Sequence, residues 1–247
     1  MNTRLIVLGM ALLASFAVAQ KPKSKAELEA VNAFIAATSP DDKIAKVEAL
    51  LSKYKDTEFK SVALAQAADA SQAKGDNIAA LTYGNRALDA DPKNFQALLL
   101  VSTVLVQTTR EFDLDKDEKL KRSSKLANDA LATVKTAAKP NPQLPDAQWA
   151  DIKKDLGAQA HEILGMVAMV DKKPDAAIAE FQTSLDTGTT QEPATMIRLA
   201  SAYNSASKFN EAATMADKVI ATAGVSEAVK KFAQAEKQRA EKGKTGK

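Results

Sequence analysis

The stretch Gly75–Pro92, GDNIAALTYGNRALDADP, decides how the chain is read. Gly75-Asp76 is a turn pair, Ala80 and Ala87 lie seven residues apart on one helical face with Tyr83 between them, and Asp91-Pro92 ends the segment. A helix that starts after a Gly turn and stops before a Pro has both ends fixed by backbone chemistry, because Pro has no N–H to continue the ladder. The preceding residues 61–74, SVALAQAADASQAK, place Leu64, Ala65, Ala67 and Ala68 on neighbouring faces at helical spacing. Helix, turn, helix and Pro stop together fill residues 61–94, a unit of 34 residues.

That unit recurs in phase. FQALLLVSTVLVQ, from Phe95, supplies Leu98, Val101, Ser102 and Leu105 at the corresponding places, and an insertion, TTREFDLDKDEK, precedes a second helix over 120–137 with Ala127 and Ala130. HEILGMVAMVDKKPDAAIAEFQTSL brings Leu164-Gly165, Ala168, Ala177, Phe181 and Ser184 into register. MIRLASAYNSASKFNEAATMADKVI adds Leu199-Ala200, Tyr203, Phe209 and Ala212, with Val219 in place of the last small residue. Repetition at this period marks stacked supersecondary units. The pattern resembles the tetratricopeptide repeat (TPR) over about 58–225. Gly84 replaces the usual aromatic and His161 the usual Trp. The resemblance implies an all-α fold, a right-handed superhelical solenoid of antiparallel helical hairpins. Small residues (Ala68, Ala80, Ala87, Gly165, Ala177, Ala200, Ala212) would let helices approach, and large ones (Leu64, Leu98, Leu164, Phe181, Tyr203) would fill the layers.

Composition agrees with that architecture. The chain has 247 residues, of which 45% are hydrophobic and only 5% aromatic, so its helix contacts are thin and Ala-lined. It contains no Cys, which excludes disulfides, thiol nucleophiles, cysteine metal sites and a lipidated N-terminal Cys. A net charge of +3 implies no nucleic-acid partner. Residues 1–19, with Arg4, an apolar run over Leu5–Phe16 and Ala17-Val18-Ala19, have the order of a signal peptide. The mature chain would then begin near Gln20, in a bacterial periplasm or secreted, with no stable membrane insertion after cleavage.

The flanks divide accordingly. Residues 20–57 read as a degenerate N-terminal hairpin, with a capping box at Ser24 and Glu27, a stripe of Leu28, Val31 and Ile35, and a restart at Ser39-Pro40 before Ile44, Val47, Leu50, Leu51 and Tyr54. The array over 58–225 holds about four units, with the insertion near 109–118 and a Pro-rich break at 139–145, after which Asp146–Val170 forms one long helix. Residues 226–247 form a capping helix, with Val225, Val229 and Phe232 as its packing stripe, and a basic tail of seven Lys or Arg against three Glu. The interleaved Glu residues favour a solvated tail over contact with anionic lipid, a cell-wall polymer or an acidic partner.

Little catalytic chemistry is available. His161 is the single histidine and falls at a packing position; without a second His or a Cys there is no nucleophile–base pair of the usual kinds. No Gly-rich phosphate loop occurs. Asp113, Asp115 and Asp117 alternate like the start of a calcium loop, but Glu118 stands where Gly is needed and Ser124 where the closing carboxylate belongs, so a solvated loop is preferred to a cation site. The expectation is a protein that is not an enzyme, with no cofactor and no metal.

In TPR proteins ligands lie against the first helix of each hairpin. Carried over to this chain, the resemblance implies a groove that includes Val62, Leu99, Thr103, Val106, Glu162, Met166, Met169, Ile197, Arg198 and Ser201. Some members hold a C-terminal carboxylate there with Lys, Asn and Arg; here Ala65, Asp69, Leu100 and Ile197 occupy those places, so that clamp is missing. The surface is apolar, with a Met pair able to follow varied shapes. Either a partner's helix or extended segment covers it, or neighbouring helices and the N-terminal hairpin do. The function expected is a non-catalytic protein–protein interaction scaffold or adaptor in the cell envelope, binding a protein or peptide in the concave groove. The alternatives are a structural subunit of an oligomeric envelope complex and a carrier of an apolar small molecule.

Overall fold

Polar side chains start many of the helices, as the sequence leads one to expect. Ser24, Ser39, Asp76, Asn94 and Ser226 each accept a hydrogen bond from the backbone N–H three residues on. Pro opens three helices at their first residue, where no N–H is needed. The computed structural model, which describes residues 20–139 and 143–246, has eleven α-helices and no strand among the described residues, and these signals open seven of the helices. They are α1 (Lys25–Ala36), α2 (Pro40–Lys53), α3 (Lys60–Ala73), α4 (Asn77–Ala90), α5 (Phe95–Thr108), α6 (Lys116–Thr136), α7 (Asp146–Val170), α8 (Pro174–Thr187), α9 (Pro193–Ser205), α10 (Phe209–Ala221) and α11 (Glu227–Thr245). The signal-peptide reading of residues 1–19 lies outside the described residues, as do Pro140 and Pro142 of the Pro-rich break. No helix among the described residues is long and apolar enough to cross a membrane.

The chain divides into two compact units. Among the described residues, unit 1 takes those up to Thr108 together with those of Asn128–Lys153; unit 2 takes Thr109–Ala127 and those from Lys154 onward. In unit 1 each helix from α1 to α5 packs on the next, and α3 also meets α5. Unit 2 repeats the scheme, with α8 on α9, α9 on α10, α10 on α11, and α9 on α11. Contacts to the next helix and the next but one are those of hairpins stacked in chain order.

The small residues singled out in the repeats are all buried: Ala68, Ala80, Ala87, Ala177, Ala200 and Ala212 have no exposed surface, and Gly165 is buried with them. At Gly165 the reason is direct, since a Cβ there would sit 2.5 Å from the Phe181 ring. Gly84 fills the same role in unit 1, where a Cβ would meet Val101 Cγ2 at 2.5 Å. The absent aromatic at position 84 is thus made up by Val101 and Leu100 pressing in from α5. A buried serine ties the two helices of one hairpin in each unit: Ser61 Oγ donates to the Ala87 carbonyl at 2.9 Å, and Ser184 Oγ to that of Ala158 at 2.7 Å.

Three local expectations are revised. In α1 the buried stripe is Val31 and Phe34, fully covered, while Leu28 is 40% exposed. Glu27, in the same turn, is buried too, so the covered face runs through Glu27, Val31 and Phe34 at steps of four and three, and Leu28 lies to its side. Helix α6 begins at Lys116 rather than at 120, because Asp117 and Glu118 suit the positive end of a helix and are drawn into its first turn. In α11 the packing residues are Ala233 and Ala240, both fully buried; Val229, and Val225 just before the helix, pack beside them as expected, whereas Phe232 is two-thirds exposed. Small residues at seven-residue spacing bring α11 close to α9 and α10, and the bulky ring is turned to the flank.

Candidate protein-binding face

The first helices of the hairpins are α3 and α5 in unit 1, and in unit 2 the part of α7 from Lys154 onward together with α9. In unit 1 the residues expected on the open face are mostly interior: Val62 is 8% exposed, Leu99 3% and Val106 3%. They offer a partner no accessible surface. Thr103 is partly covered, and its Oγ1 is a buried oxygen with no hydrogen-bond partner. A polar link runs across this side, where Gln66 Nε2 donates to Gln96 Oε1 at 3.1 Å. Asp69 is exposed as a residue, yet crowding by the surrounding chain raises the pKa of its carboxyl, with the positive charge of Lys43 pulling the other way.

Unit 2 is different. Glu162, Met166 and Met169 follow one another on α7 at steps of four and three residues, and Ile197 and Ser201 stand four apart on α9. All are partly exposed. Met166, Met169 and Ile197 rest on a core that includes Phe181, Met196, Leu199 and Tyr203, so their inner sides are packed and their outer sides face solvent. Arg198 donates from Nη1 to Glu162 Oε1, joining α9 to α7 at the edge of the apolar strip. The structure therefore brings together six of the ten expected residues, from Glu162 to Ser201, as an accessible face. At its C-terminal end α11 takes over, with Asn204 Nδ2 donating to the Glu236 carbonyl at 2.9 Å and to its carboxylate at 2.8 Å.

His161 is half-buried, its Nδ1 2.8 Å from Glu180 Oε2, which fastens α7 to α8. The acidic run is organised by Lys119: Asp113 Oδ2 accepts from Lys119 Nζ at 3.1 Å and from the Arg110 N–H at 3.0 Å, while Asp115 pairs with the same Lys119 at 2.8 Å. These bonds hold the Asp113 carboxyl below its ordinary pKa, the Arg110 backbone N–H first and Lys119 second. No group of three or more His, Asp or Glu among the described residues is placed to hold a metal ion. What the sequence reading passed over lies between these acids: Phe112 is 90% exposed and Leu114 fully so. Their alternation with charged residues disguised them as part of a solvated loop.

No protein-family model matches the chain, and no curated protein does. Solved structures do. The chain is similar to TTC0263, a thermophilic TPR protein of Thermus thermophilus, at a TM-score of 0.58 and 19% identity over 85% of this chain and 94% of that one. It is also similar to pilF of Pseudomonas aeruginosa, with a TM-score of 0.57, 16% identity and coverage of 90% and 92%. A MamA RS-1 double mutant gives a TM-score of 0.56 at 17% identity over 81% and 95%. Helical hairpins stacked in chain order, small residues at the helix crossings and these likenesses agree: the chain has the fold of the tetratricopeptide-repeat proteins.

Proposed function

We propose that the chain is a non-catalytic interaction scaffold of the cell envelope that binds an apolar partner segment against α7 and α9. The observation that carries this is the strip of Met166, Met169 and Ile197, packed beneath and open above, beside the Glu162–Arg198 pair. Methionine side chains reshape at small cost, and an amphipathic helix or extended segment supplies apolar anchors at matching intervals. The charged pair at the edge would fix register rather than add much affinity, since partly exposed ion pairs are worth little. Envelope location rests on the leader-like order of residues 1–19.

Affinity purification of the chain from envelope extract tests the reading, run beside a Met166→Glu/Ile197→Glu variant with matched helicity and melting. A partner recovered with the native form and reduced about tenfold or more by the variant is the expected result, because a few central apolar residues carry most interface energy. Equal recovery by both forms removes this face from consideration. The N-terminal residue of the native preparation checks export: a mature chain is expected to start near Gln20.

A further inference from the structure

Two features of unit 2 have no role in the face on α7 and α9. One is the loop from Thr109 to Asp115, which holds Phe112 and Leu114 in solvent on a braced backbone. The Arg110 N–H and Lys119 fix Asp113, the Asp113 N–H returns to the Arg110 carbonyl, and Lys172 fastens Glu111. Residues 110–119 carry three basic and five acidic side chains, so the exposed pair sits in an acidic setting. Large apolar side chains raised on an ordered loop are anchors awaiting a pocket.

The other is an open cup of about 440 Å³, lined by Phe209, Ala235, Gln238, Arg239, Lys242 and Gly243. Its floor is apolar, for the Phe209 ring lies against Gly243, where a Cβ would collide with it. Its rim is cationic. Arg239 makes only long contacts, 3.4 Å to Ser205 Oγ and 3.8 Å to Glu236, and Lys242 forms no ion pair among the described residues. The cup is large enough for a Phe or Leu side chain and has the opposite charge to the loop.

Loop and cup also share an edge of unit 2. Glu111 pairs with Lys172, in the turn between α7 and α8; Asp175, at the start of α8, pairs with Lys208, in the turn between α9 and α10; and Phe209 follows Lys208 directly. We propose that this edge binds a second copy of the chain, the Phe112–Leu114 loop of each copy entering the Phe209–Arg239–Lys242 cup of the other. Because both elements lie on one edge, a two-fold axis can satisfy both contacts at once and close the pair. The acidic loop argues against an anionic lipid surface as the occupant.

Sedimentation equilibrium of the full chain over a wide concentration range tests this, with Phe112→Asp/Leu114→Asp as the loop variant and Arg239→Glu/Lys242→Glu as the cup variant. All four positions are solvent-accessible, so both variants are expected to keep the native melting curve. The native chain should pass from monomer to dimer, and each variant should raise the dimer Kd by about tenfold or more. Mixing the two variants should give a heterodimer more readily than either forms homodimers, because one intact loop then meets one intact cup. A native chain that stays monomeric overturns the proposal, as does a dimer that both variants leave unchanged. Loop-dependent binding of a monomer to phosphatidylglycerol vesicles would overturn it too and name the surface instead.

Discussion

Gly165 shows how much one missing methyl can decide. The Phe181 ring occupies the space a side chain at 165 would need, with Cε1 at 2.5 Å, Cδ1 at 2.6 Å and Cζ at 2.9 Å from an ideal Cβ. Phe181 has no exposed surface and belongs to the core of unit 2, so its ring has nowhere to retreat. Gly165→Ala is therefore expected to destabilise the protein, although Ala is the better helix former by about 1 kcal/mol. Overpacking of a closed core costs about 1–3 kcal/mol, which exceeds the gain in propensity. Chemical denaturation of the variant checks the sign: a lower midpoint is expected, and a higher one would mean that α7 and α8 can separate at little cost. The sequence already marked this contact, because Leu164-Gly165 and Phe181 stand at small and large positions of the same repeat. It could not mark the braces of the acidic loop, since nothing in the spacing of Asp113, Asp115 and Lys119 says that one lysine serves both carboxylates.

At the scale of the element, the hairpin turns repeat more faithfully in backbone than in sequence. After α3, α7 and α9 a single residue takes positive φ: Gly75 at 79°, Lys172 at 57° and Ser207 at 59°. In each case the next N–H returns to the carbonyl five residues back, Asp76 to Ser71 at 3.0 Å, Lys173 to Ala168 at 2.8 Å and Lys208 to Tyr203 at 2.8 Å. This is one helix-ending motif used three times, and Gly is the residue that adopts it without strain. Ser207→Gly is expected to stabilise the protein by up to about 1 kcal/mol, as relief of left-handed strain outweighs the added freedom of the unfolded chain. Gly75→Ala should act in the opposite sense. Thermal melts of the two variants beside the native chain check both directions. Composition revealed the turn at Gly75-Asp76 but not at Lys172-Lys173 or Ser207-Lys208, where the signal lies in φ. Helix faces were legible where one kind of residue repeats, as with the buried alanines. They were not legible where the partner sets the depth, as in α11, whose close approach favours Ala233 over Phe232. The unit 1 part of the expected groove failed for a related reason. A stripe such as Leu99 and Val106 has the same pattern whether the chain itself or a ligand covers it, and in unit 1 both residues are buried.

At the scale of the whole molecule, stability in stacked hairpins is a sum of unit terms and nearest-neighbour terms, so loss of a terminal helix should be felt most by the unit that carries it. Helix α11 is such an end. It buries Ala233 and Ala240 completely in the core of unit 2, sets Val229 against the same core, and receives the Asn204 amide on Glu236. Removing residues 223–247 would uncover the α9 and α10 sides of that core, including Val219 and Ala216, and would leave the Asn204 amide without its partner. The single tryptophan, Trp149, belongs to unit 1 and is buried there, so its fluorescence follows that unit while helicity follows the whole chain. The truncated chain is expected to lose helicity at a lower denaturant concentration than the native protein, with the Trp149 transition moved by less. Coincident shifts of the two signals would show instead that the helices unfold as one cooperative block, and the division into two compact units would then describe the contacts but not the energetics.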